Sequence, residues 1–119
     1  MVFKEDVVVR DAEFEIQCDV LDVFLDEDMK VKRAIASGKM VVITGADRDG
    51  NPMDARCQRA IYEGDRITLR GWPQISSVGR TIKARASTTV MGFDIGEDES
   101  LDYWVKGPVD GALKKPKKN

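Results

Sequence analysis

The side chains that usually carry chemistry are sparse in this chain and poorly grouped. Histidine is absent, which removes the commonest general base, the histidine-activated serine and cysteine nucleophiles, and the most frequent metal ligand. Paired carboxylates could hydrolyse a glycoside. The acids instead gather in short runs between apolar segments, as in Asp26-Glu27-Asp28 and Glu97-Asp98-Glu99, where they read as solvated turn charges. Asp47-Arg48-Asp49-Gly50-Asn51 has the composition of a calcium loop but lacks the alternating ligand order and the distant bidentate glutamate, so it reads as a hairpin turn. Gly107 to Gly111 is too short for a phosphate-binding loop, and no helical pattern follows it. Cys18 and Cys57 are too far apart in sequence for a zinc site. They read as buried small hydrophobes, or as a disulfide if their strands are neighbours. The expectation is a protein that is not an enzyme and uses no cofactor or metal.

The elements that place these residues are strands. Cys18 and Cys57 occupy equivalent slots in two of three segments with one theme, Phe14 to Val20, Met53 to Arg59 and Ile82 to Thr88, each with a small or apolar residue at every second position. Period two is what a strand needs when one face is buried and the other is wet. Further strands are read at Phe3 to Arg10, Met40 to Thr44, Asp54 to Ile61, Arg66 to Arg70, Gln74 to Ser77, Thr81 to Met91 and Leu101 to Lys106, with Asp11-Ala12, Glu63 to Asp65 and Gly71-Trp72-Pro73 as turns or corners. In Phe14 to Leu25 the apolar phase slips by one residue after Val20, which predicts a bulge or bend. Residues 20–35 are ambiguous. Two strands, Val20 to Leu25 and Lys30 to Ala36 around an acidic turn, are the leading reading, and Val20, Val23 and Phe24 with Asp26/Lys30 and Asp28/Lys32 make an amphipathic helix the competitor; Gly38 ends either pattern. The four prolines avoid every strand centre.

The chain has 119 residues, 42% hydrophobic and 34% charged, which predicts one domain with its own core and a solvated surface. A net charge of −2 argues against a nucleic-acid partner. No apolar run approaches the ~18 residues of a membrane helix, and the N-terminus has no signal-peptide pattern. The domain is read as 2–106, followed by a flexible basic tail over 107–119.

On alternation alone, one face collects Ile16, Cys18, Val20, Val42, Ala55, Cys57, Ile67, Leu69, Ile75, Ile82, Ala84, Ala86 and Val90. Several of these are small, so either bulky residues from a facing sheet fill the interior or a ligand does. An acyl chain would suit such a space, because each buried methylene contributes roughly 0.8 kcal/mol and no exact polar geometry is needed. Arginines and lysines near the rim could meet phosphate groups. A stack of hairpins also leaves unpaired edges, here Val7, Val8 and Val9 at one end and Leu101, Tyr103 and Val105 at the other, and such edges favour head-to-tail assembly.

Three stretches carry a family resemblance. Ala36-Ser-Gly-Lys-Met-Val-Val-Ile43, Ala55-Arg-Cys-Gln-Arg-Ala-Ile-Tyr62 and Ile67-Thr-Leu-Arg-Gly-Trp-Pro-Gln-Ile75 resemble, in that order and spacing, the OstA-like (LptA) family of periplasmic lipopolysaccharide-transport proteins. Phe3 to Val9 with Ile16 to Val23 is similar to a preceding copy of the unit. Two departures stand out: Glu5-Asp6 where the family commonly has Gly-Asn, and Gln58 in place of an aspartate. The resemblance implies an all-β fold, an OstA-like twisted β-jelly roll of stacked antiparallel hairpins open at both ends. It implies a lipopolysaccharide or similar acylated amphiphile as partner, bound between two sheets, and a role in outer-membrane biogenesis. It also implies self-association or pairing with other transport components, and a periplasmic location with the export signal already removed. The alternative is an assembly module with a dry core that oligomerises without lipid.

Overall fold

The computed structural model describes residues 2–10, 14–97 and 100–111, and they form an all-β, antiparallel structure. The strands are β1 (Val2–Arg10), β2 (Glu15–Leu25), β3 (Val31–Ala46), β4 (Pro52–Glu63), β5 (Arg66–Arg70), β6 (Gln74–Ser77), β7 (Arg80–Ala84), β8 (Val90–Ile95), β9 (Leu101–Lys106) and β10 (Val109–Asp110). One hydrogen-bonded path runs β1-β2-β3-β4-β5-β8-β9, and β6, β7 and β10 branch from β4. Residues 20–35 are strand, not helix: Val20 to Leu25 pairs with Val31 to Ser37 around an acidic turn in which Asp26 Oδ1 accepts from the amides of Asp28 (2.8 Å) and Lys30 (3.0 Å). The β-branched content of Val20, Val23, Val31 and Ile35 favours that outcome. The Asp11-Ala12 turn and residues 98–99 and 112–119 lie outside the described residues.

A single crease organises the sheet. The ladders slip at the same level in successive strand pairs, between Lys4 and Val7 in β1, between Gln17 and Val20 in β2, and between Ser37 and Val41 in β3. β4 passes through unbroken but changes partners there: Met53 to Arg56 pairs with β6, and Arg59 to Glu63 pairs with β5. Bulges bend a strand, and aligned bulges fold the sheet into two layers. One layer has in register Val9, Ile16, Ile43, Ala55, Ile75 and Ile82. The other has Leu21, Ala36, Ala60, Leu69, Met91 and Val105, and beside them Val23, Ala34, Tyr62, Ile67, Phe93 and Tyr103. Both layers supply one apolar cluster.

The crease is built from backbone that few residues tolerate. Gly38 has φ 144°, and a Cβ there would lie 2.6 Å from Asp19 Cβ; Asp19 Oδ2 accepts from the Lys39 amide at 2.9 Å. Gly71 has φ 81°, and a Cβ there would meet Gln58 Cβ at 2.6 Å, while the Gln58 amide donates to the Gly71 carbonyl. In β1 the bend falls on Glu5 and Asp6, both left-handed at φ 67° and 47°, a conformation that suits glycine and asparagine. The Gly-Asn pair that the resemblance implies at this place would take this conformation with less strain.

Bends correct several sequence-based assignments. Gly38 does not end a strand, because β3 continues through the crease for 16 residues. Alternation restarts beyond it, so Val41 and Ile43 point inward and Val42 does not. Leu21 takes the buried place expected for Val20. Thr81 to Met91 is not one strand: β7 stops at Ala84, Ala86 sits in the following turn, and β8 buries Met91 and Phe93 in place of Val90. Val109 and Asp110, assigned to the tail, pair with Ala84 and Lys83, so the sheet runs past residue 106.

The cysteines flank Val41, which pairs with Cys57 on one side while the neighbouring Val42 pairs with Gln17 on the other. With β3 between them they are about 10 Å apart, beyond disulfide reach, and both thiols are free and buried. Burial pushes the Cys57 thiol up to about 12, against backbone hydrogen bonds at Arg59 and Arg70 that lower it. Burial, then the charge of Asp19, raises Cys18.

Two outcomes follow from this architecture. Glu5→Gly with Asp6→Asn should stabilise the fold by up to about 1 kcal/mol by relieving left-handed strain, whereas Gly71→Ala should cost about 1–3 kcal/mol; urea unfolding reads both. Native protein at pH 8 should leave both thiols unreacted with a thiol reagent and release two on denaturation. Because the folded Cys57 thiol titrates above its unfolded value, stability is fully present below pH 9 and should fall as pH rises towards 12.

Candidate functional site

The space between the layers has a filled part and an open part. Toward β5, β6 and β8 it is packed solid: Ile67, Leu69, Ile75, Met91 and Phe93 are fully buried. The small residues Ala55 and Cys57 belong to the same cluster as these bulky ones, so in this part the facing layer supplies the missing bulk. Leu101 of β9 closes the side away from the crease, reaching across to Gly45 of β3 so closely that a Cβ on Gly45 would lie 2.6 Å from its Cδ1.

Toward β1 the layers separate. A slot of about 200 Å³ opens there, lined by Val9, Arg10, Phe14, Ile16, Leu21, Val23, Val31, Ala34 and Tyr62. β1 is the reason: most of its residues are exposed, and only Val7 and Val9 pack against the core. Phe14 from one layer and Tyr62 from the other stack with ring centroids 6.3 Å apart and planes at 28°, an aromatic wall on the slot. At the rim, Arg10 Nε holds Glu15 Oε1 at 3.1 Å, with most of the arginine in solvent. An apolar cavity of about 150 Å³ admits benzene, so this slot has room for an alkyl segment. Its lining is almost wholly aliphatic and aromatic, with the Arg10 guanidinium and the Tyr62 phenol as its only polar side-chain groups. Among the described residues no cluster of His, Cys, Asp or Glu could hold a metal ion.

Of the residues expected to face the interior, Ile16, Cys18, Ala55, Cys57, Ile67, Leu69, Ile75 and Ile82 do meet in one buried cluster, and Ala84 packs at its margin. Val20, Val42, Ala86 and Val90 stand outside that cluster. Only Ile16 among the expected residues lines the slot. Leu21 and Val23 were legible as an apolar pair after the phase slip, but the slip places them on an opposite face unless the bend that returns them inward is known. Phe14 shared the alternation of Ile16, and Tyr62 closed a stretch that carries the resemblance, but neither signal marked a slot, and Ala34 carried none.

Among the described residues, β1 pairs only with β2 and β9 only with β8 along the main path. Val8 is exposed while Val7 and Val9 turn inward; Leu101 is buried, and Tyr103 and Val105 are packed against the core. In β9 it is therefore the backbone that lies at the edge, and its outward side chains are Asp102, Trp104 and Lys106. Trp104 lies over Gly92, where a Cβ would meet the indole at 2.4 Å, and Arg66 stands 5.1 Å from the ring.

Comparison with known proteins agrees with this architecture. The structure is similar to the crystal structure of LptH, the LptA homologous periplasmic component of the conserved lipopolysaccharide transport device from Pseudomonas aeruginosa, with a TM-score of 0.71 at 15% identity, covering 96% of this chain and 83% of that one. At that identity the likeness shows the fold. No curated protein matches the chain. The family model of the LptA/(LptD N-terminal domain) LPS transport protein matches residues 1–91, which takes in the crease, the slot and the filled core as far as Met91. The chain belongs to the LptA/(LptD N-terminal domain) LPS transport protein family.

Proposed function

We propose that this protein is a periplasmic module of lipopolysaccharide transport that holds an acyl segment of the amphiphile in the slot beside β1 and joins its neighbours through its open strand edges. The apolar slot carries the reading. It is a place where the layers part without filling the space between them, and its lining offers methyl and ring surface with a guanidinium, Arg10, at the mouth. Methylene burial there is worth roughly 0.8 kcal/mol per group, and Arg10 can turn from Glu15 toward an acidic headgroup. Family membership supports lipopolysaccharide as the cargo, and the naming of LptH as a periplasmic component supports the compartment. Members of a transport family need no catalytic centre, and the chain is not an enzyme.

The free edges of β1 and β9 support assembly by strand addition. A second reading, a dry-core assembly module, is favoured by one observation, the solid packing of the β5 to β8 part. The two readings separate on one variant. Ala34→Trp places an indole in the slot, and displacement of a fluorescent acyl probe by lipopolysaccharide should weaken at least tenfold while thermal unfolding shows the fold intact. An unchanged affinity in a folded variant contradicts slot binding and leaves the dry-core reading. For assembly, Val8→Pro removes a donor on the edge strand, and concentration-dependent oligomers seen by light scattering should disappear; oligomers that persist place the contact elsewhere.

A further inference from the structure

We propose that the convex outer side of the crease is a docking surface for an anionic phospholipid bilayer, with Arg59, Arg70 and Lys106 facing lipid phosphates and Trp72 at headgroup level. It is on the outside of the fold, separate from the slot, and does not depend on the cargo. The outward side chains beside the crease form a cross-strand row that runs Lys4, Val20, Ser37, Arg59 and Arg70, and β8 and β9 continue it with Val90 and Lys106. The row has four cations and no carboxylate.

Within it Arg59 and Arg70 are direct partners across β4 and β5. Like charges directly opposite one another destabilise an antiparallel pair, and neither arginine has an ion-pair partner among the described residues. At the other end of the same face the acids are matched, Asp94 to Arg66 at 2.8 Å and Asp102 to Arg48 at 3.0 Å. In a chain of net charge −2, this sorting leaves positive charge without a paired acid at the β4, β5 and β9 end of the crease, whereas Glu5, Asp6 and Asp19 lie at its β1 and β2 end. Trp72 supplies the second observation. It follows Arg70 at the corner, is 54% exposed, and holds a left-handed φ of 52° that a tryptophan adopts only under strain.

Uncompensated arginines beside an exposed indole match a membrane interface, where basic residues meet phosphates and tryptophan sits between water and hydrocarbon. A protein partner would call for a broader apolar centre, and a convex ridge suits a planar surface. The test is sedimentation of the full chain with vesicles of phosphatidylglycerol and phosphatidylethanolamine, against pure phosphatidylcholine, at low salt. The chain should sediment only with the anionic vesicles. Arg59→Gln with Arg70→Gln should lower partitioning by roughly 25-fold, about fivefold for each arginine. Trp72→Asn, which suits the left-handed backbone, should weaken binding and remove quenching by brominated lipid. Both variants should keep acyl-probe binding in the slot, which separates failure here from failure of the cargo reading. No vesicle binding, equal binding to phosphatidylcholine, unchanged binding by the double variant, or displacement by free phosphate at constant ionic strength would each overturn the proposal.

Discussion

The structure depends on one line of bent backbone. Long antiparallel strands with an apolar face cannot bury that face alone, and a flat sheet of this length would leave half of it in water. The crease lets β2, β3 and β4 each serve in two layers, so that Ile16 and Leu21, or Ile43 and Ala36, lie on one strand yet belong to opposed walls. Gly38 against Asp19 and Gly71 against Gln58 set how tightly the fold closes. Glu5 and Asp6 complete the line in β1 at greater conformational cost, which accords with a first strand that is the least buried of the long ones.

That same line explains what the sequence showed and what it hid. Period-two alternation identified the strands because each strand really has a wet and a dry side, and the phase slip after Val20 marked the crease itself. Alternation reports a face of the local strand and not where the sheet goes after a bend. Val42 was therefore placed inward when the bulge had already shifted the phase to Val41 and Ile43, and Leu21 and Val23 were left off the inward face although the slip beside them predicted the bend that turns them in. The turn over residues 85–89 hid in the same way, since Ala86 and Val90 continue an alternation that the backbone does not. Resemblance to the OstA-like unit supplied the architecture, and the structural likeness to LptH and the family match bear it out. The slot was out of reach because it arises where two layers diverge, a property of no single segment.

The interior answers the question its small residues raise, and answers it differently at its two ends. Ala55 and Cys57 look like gaps along a strand, but Met91, Phe93 and Leu69 complete the packing around them. The exposed β1 leaves the other end under-filled, with Phe14 and Tyr62 as a stacked wall. An apolar space closed on one side and open on the other can take an alkyl tail while its polar head stays in water. That division suits the proposed role, in which an amphiphile is held and released without chemistry.

The central claim, an acyl segment in the β1 slot, is tested most directly by intermolecular NOEs between lipopolysaccharide acyl protons and the methyl groups of the protein. The expected result is NOEs to Val9, Ile16, Leu21 and Val23, with none to Ile67, Leu69 or Ile75. NOEs absent from the slot methyls, or as strong at Ile75 as at Val23, would contradict it.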